Sequence, residues 1–179
     1  MSEEVELSLD PETAIEGGGL VDDVDAIVKT ANYEMWTYPG TTTTVPALKL
    51  VLVTDDEAVT EQYYSCGDAR KYAPSGDGTR LIPLSGAIGI QKDSNVMTLM
   101  GSLVAAGFPK ENLKGSNCGI FVGLRAHWLR KAQRKIKPSD KDRTVLCVTE
   151  ILALPGEKVR AKTVSAGNGR PSAGVVDTE

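Results

Sequence analysis

One histidine, His127, and three widely separated cysteines, Cys66, Cys118 and Cys147, are the reactive side chains of this 179-residue chain. A single imidazole leaves one place to build a nucleophile–histidine–acid set, and His127 lies between Arg125 and Arg130. That basic setting suits a surface role or a phosphate contact better than general-base work. No Cys-x-x-Cys or Cys/His pairing occurs, so no structural zinc is expected, and an odd cysteine count argues against a disulfide framework. The glycines form neither a phosphate-binding GxxxxGK[ST] loop nor a GxGxxG turn after a strand. Asp22, Asp23 and Asp25 are of the type that binds hard cations. They lack a convergent second set of ligands, so a solvated acidic edge is expected instead. The reading is of a protein that is not an enzyme and carries no metal or cofactor.

Chemistry of another kind is concentrated in residues 119–137. The run opens as an apolar segment and ends in cations. Arg125, Arg130, Lys131, Arg134, Lys135, Lys137, Lys141 and Arg143 face only Asp140 and Asp142. Cations beside exposed rings are what a single nucleic-acid strand requires, because phosphates need neutralising and bases need a surface to stack on. With strand alternation, Phe121, Arg125 and His127 share one face, and Ile120, Val122, Leu124 and Trp128 share the other, core-like face. The plainer alternative is a charge-rich hairpin held in solvent.

Net charge conceals this arm. The total is −4, but residues 1–26 hold nine acids and no base. The rest of the chain is therefore basic, and an acidic isoelectric point does not exclude a nucleic-acid partner when charge is segregated in this way. The opening Met1-Ser-Glu-Glu-Val-Glu has no basic or apolar signal region, and no apolar run reaches membrane-spanning length. A cytoplasmic setting and no membrane partner are expected.

The elements that must carry these residues are mostly strands. Residues 1–19 are acidic and end in Gly17, Gly18 and Gly19, which reads as a flexible leader. From residue 157 the chain is small, polar and broken by Gly and Pro, a second flexible tail, leaving 20–156 as the folded body. Strands are expected at 24–36, 47–54 and 59–66, separated by turn residues. Val96, Leu99, Met100, Leu103 and Val104 then fall at helical spacing between a Ser94 cap and the stop residues Gly107 and Pro109. Strands return at 119–129 and 144–154. Three strands, a helix and two strands is the order of the OB-fold, a five-stranded Greek-key barrel with its helix between strands three and four. A small β-sandwich with one crossover helix competes.

Aromatic residues outside the basic arm, Tyr33, Trp36, Tyr38, Tyr63, Tyr64 and Tyr72, gather on the first and third strands and their loops. In an OB barrel that region borders the ligand surface. Tyr63 and Tyr64 are adjacent and must point to opposite faces, so at least one is a candidate platform for a base.

The pattern resembles the OB-fold single-stranded DNA-binding proteins of bacteriophage replication and recombination modules. The resemblance rests on Tyr63-Tyr64-Ser-Cys-Gly67, on Ala106-Gly-Phe-Pro109, and on the strand from Gly123 and Leu124 to Arg130, and it spans roughly residues 20–155. It implies a non-catalytic, largely sequence-independent binder of single-stranded DNA in the cytoplasm, the host's if phage-encoded. Replication or recombination proteins and further copies of the chain would be its other partners. Arg125, Arg130, Lys131, Arg134 and Lys135 would contact phosphates, and Trp36, Tyr63, Tyr64 and Phe121 would stack on bases. Many such proteins end in an acidic tail with a terminal aromatic, whereas this chain ends Val-Val-Asp-Thr-Glu179. The rival expectation is a virion or filament assembly or adaptor protein built on a β-barrel domain.

Overall fold

The computed structural model describes residues 21–133, 138–139 and 143–158. The acidic leader, the tail beyond residue 158, and Arg134 and Lys135 lie outside the described residues. Five antiparallel strands form the main sheet: β1 (Val24–Thr37), β2 (Thr44–Thr54), β3 (Val59–Ser65), β6 (Arg125–Ala132) and β7 (Thr144–Ala153). Their order in space is β3-β2-β1-β6-β7. Helix α1 (Asn95–Ala105) falls between the third and fourth of these strands, as its apolar spacing predicts. The sheet is not closed by a backbone ladder between its edges β3 and β7.

Side chains span that gap. Tyr64 donates its hydroxyl to the Leu146 carbonyl at 3.0 Å, and Arg130 donates to Gln62 at 3.1 Å. The sheet therefore curls, bringing its inward residues Leu48, Leu50, Leu52, Tyr64, Trp128 and Leu146 into one core. Trp128 occupies the core face predicted for it, fully buried, with its indole N–H donated to the Ala26 carbonyl at 3.2 Å. Burying an indole without such a partner would cost about 1–3 kcal/mol.

α1 packs Val96, Leu99 and Leu103 against this core and lies on β7. Ser102 ties the two together, donating to Leu99 and accepting the Val148 N–H at 3.1 Å. The helix thus covers an edge strand that would otherwise present free backbone groups. Its end explains the Ala106-Gly-Phe-Pro109 motif. Gly107 is left-handed at φ +97°, the Phe108 N–H reaches back to Leu103 and the Gly107 N–H to Val104, and buried Phe108 seals the turn.

Two departures from the sequence expectation matter for the site. Residues 72–83 form a short hairpin, β4 (Tyr72–Pro74) with β5 (Leu81–Pro83), where no strand was expected. Asp77 organises its turn by accepting from Ser75 and Thr79, which holds its carboxyl down at about 2. The strand expected from residue 119 begins only at Arg125. Asn117 caps a 3-10 turn, Cys118–Phe121, through the Gly119 N–H at 2.8 Å, and Gly123 turns the chain at φ +90°. An apolar run alone does not separate a strand from a buried turn.

Candidate nucleic-acid interface

On the solvent face of β1, β2 and β3, alternation with the inward leucines places Trp36, Glu34, Ala47, Lys49, Tyr63 and Glu61. Trp36 and Tyr63, both half-buried, stack with centroids 5.2 Å apart and planes 10° from parallel. The register sets them on either side of Ala47, the small residue of β2 between them, which is fully buried. Tyr38 meets the other ring system edge-on, 4.6 Å from Trp36. The β1–β2 turn carrying it is pinned by Thr41 and Thr43 to Tyr38 and by the Thr37–Thr44 hydroxyl pair.

A cation completes this patch. The Lys49 ammonium lies 5.4 Å from the Tyr63 ring centre and 2.8 Å from Glu61, which also accepts the Tyr63 hydroxyl at 3.0 Å. Glu61 and Tyr63 raise the Lys49 pKa, and Lys49 lowers that of Glu61. The patch is a ring surface with a lysine held at its side. Lys49, Tyr38 and Glu61 were not among the expected site residues. The signal for Lys49 was its place in the alternation of 47–54, as the outward cation between inward leucines.

Two expected platforms are corrected. Tyr64 is the inward member of its pair, 2% exposed, and burial pushes its pKa up. Phe121 is 3% exposed and packs on Phe108, with centroids 6.1 Å apart, because the 3-10 turn rotates it inward. Neither ring is open to a base.

The cations of β6 stand elsewhere. Arg125 pairs across from Ile27 and Trp36 is nine residues further along β1, about 30 Å on an extended strand. Arg125 forms an ion pair with Asp55, and its Nε is buried with no hydrogen-bond partner among the described residues. Arg130 sits on the inward side, half-buried at the β3–β7 gap. Its Nε is likewise unpartnered, and burial lowers its pKa, although a guanidinium remains charged. Lys131 is exposed. So the rings and the described cations of β6 occupy different parts of the sheet.

The acidic stretch before and within β1 is docked on β6 instead of lying free in solvent as expected. Asp25 meets His127 Nδ1 at 2.7 Å, Asp23 meets Nε2 at 3.0 Å, and Asp22 accepts the Arg130 backbone N–H at 2.6 Å. Asp25 chiefly, with Asp23, raises the His127 pKa. His127 is thereby committed to carboxylates in this conformation. Among the described residues no group of His, Cys, Asp and Glu is arranged to hold a metal ion, and no helix is long and apolar enough to cross a membrane. Cys66, Cys118 and Cys147 are buried and free, and burial pushes the Cys66 thiol up to about 12, where it is inert. Comparison with protein-family models, characterised proteins and solved structures gives no match at any of the three levels.

Proposed function

We propose that this chain binds single-stranded DNA without catalysis, on a partly open OB-type barrel, in replication or recombination. The observation that carries the reading is the Trp36–Tyr63 stack with Tyr38 at its edge and Lys49 beside it, on a solvent-facing sheet next to a threonine-rich turn. An OB barrel uses the face of its second and third strands and its first hairpin loop for such ligands. The five-strand order, the helix after the third of these strands, and the Tyr64–Leu146 bridge between β3 and β7 support the barrel. Rings with sequence-tolerant stacking fit a single strand better than a duplex, whose bases are already stacked. Phosphates would run from Lys49 toward Lys131 and the cations at Arg134 and Lys135.

The test is a fluorescence titration with poly-dT at two salt concentrations. Trp128 is fully buried, so quenching reports Trp36. Saturable quenching that weakens steeply with salt supports the reading, and no quenching at low salt refutes it.

One observation favours the assembly or adaptor reading. Ile88 is completely exposed and lines a groove of about 330 Å³ with Tyr72, Leu81, Ile90, Met97 and Leu113, and Ile82 and Leu84 are exposed in the adjoining chain. Contiguous exposed apolar surface marks protein contacts. Self-association that resists salt, without affinity for DNA, would select this reading.

A further inference from the structure

We infer that Asp22 and Asp23 are an intramolecular stand-in for backbone phosphates, held on β6 in the free protein and displaced when a nucleic-acid strand binds. The inference rests on the proposed function and names a regulation of it.

Carboxylates already occupy several of the donors on β6. Asp22 holds the Arg130 N–H, Asp23 and Asp25 hold His127, and Asp55 holds Arg125. Glu150 is the register partner of His127 on β7. Facing Arg125, His127 and Arg130 are therefore five acids, Asp22, Asp23, Asp25, Asp55 and Glu150. With these contacts intact the carboxylates oppose a phosphate at Arg125 and His127, contrary to the basic sequence of the strand. A phosphate track over β6 requires some of them to leave.

Asp22 and Asp23 are the pair built to leave. Asp25 lies within β1, locked opposite His127 by the ladder. Asp22 and Asp23 precede the strand, are exposed, and hold β6 through their side chains. Asp23 also has a left-handed backbone, φ +53°, a conformation that L-residues disfavour and that release would relax. β1 pairs with β6 only as far as Val24–Trp128, so beyond that point the β6 edge is met by the Asp22 carboxylate instead of a strand. Carboxylate on backbone N–H and imidazole is the same contact that a phosphate oxygen makes.

The test compares the wild-type chain with Asp22→Asn/Asp23→Asn, using a fluorescein-labelled thymidine oligonucleotide at low and physiological salt. Asn keeps the hydrogen-bonding shape and tolerates the left-handed position. Removing two exposed competing charges should tighten binding roughly three- to tenfold at low salt, with the gap closing as salt rises. Equal or weaker binding by the variant, with the wild type binding, overturns the inference and leaves the DNA reading standing. No binding by either overturns both. Should the variant fail to fold, amide NMR of the wild-type chain decides. The Asp22 and Asp23 signals should shift with the same saturation point as Trp36 quenching, and signals that stay fixed while Trp36 is quenched overturn the latch.

Discussion

Tyr63 and Tyr64 are neighbours with opposite fates: one ring lies on Trp36 at the surface, the other reaches across the sheet gap to the Leu146 carbonyl. Alternation along β3 produces this division, and it separates binding from stability by a single position. Tyr63→Ala should weaken poly-dT binding by about 1–3 kcal/mol with little change in melting temperature. Tyr64→Ala should destabilise the fold by about 3–5 kcal/mol, as large core truncations do. Titration and thermal denaturation of the two variants check this. A Tyr63→Ala protein that binds normally would remove the ring platform from the proposed site.

The tryptophans divide in the same way. Trp128 is sealed in the core and Trp36 is half-buried at the rings. With Trp128 alone retained (Trp36→Phe), emission should be blue-shifted and insensitive to acrylamide and to poly-dT. With Trp36 alone retained, both quenchers should act. Quenching of Trp128 by DNA would place the strand elsewhere.

Helix α1 was legible because a 3.6-residue period, Ser94 ahead of it and Gly107 behind it agree, and the three early strands were legible from their turn residues. The run 119–124 was misread because Ile120, Phe121 and Val122 look like a strand, while Asn117 and Gly123 decide otherwise through one cap and one positive φ. The basic arm misled for a different reason. Composition counts charges but does not show their partners, and the acids that meet Arg125, His127 and the Arg130 backbone N–H come from residues 22–25 and 55, far away in sequence. The Trp36–Tyr63 pair depends on register across β2, which no local pattern encodes.

His127 makes the fold sensitive to pH. Its hydrogen bond to Asp25 raises its pKa above the ordinary value, with Asp23 adding to the effect, and Glu150 lies opposite on β7. A raised folded-state pKa means that the stabilisation is full below the unfolded value of about 6.5 and is lost as pH climbs through the folded value. An NMR titration of the ring should give a midpoint above 6.5, lowered more by Asp25→Asn than by Asp23→Asn. A midpoint at or below the ordinary value would mean that the carboxylates do not hold the imidazolium.

Salt dependence distinguishes cations that await a ligand from those already occupied. Each phosphate contact on a single strand contributes about 0.7 to the slope of log affinity against log salt, because the phosphate sheds its counterion. Arg125 meets Asp55 before any ligand arrives, and a strand that takes it must first displace that carboxylate, which then gathers its own counterion. Uptake on one side offsets release on the other, so Arg125→Ala should change the slope by less than 0.7 while removing the ion pair. Lys131 is exposed, and Arg134 and Lys135 follow it in the basic arm. Replacing these three with Ala should lower the slope by about 2. The measurement is a set of poly-dT titrations across salt for the wild type, Arg125→Ala and the triple variant. A triple variant with an unchanged slope makes the arm a solvated hairpin, and a full loss from Arg125→Ala alone places the phosphate track over Asp55.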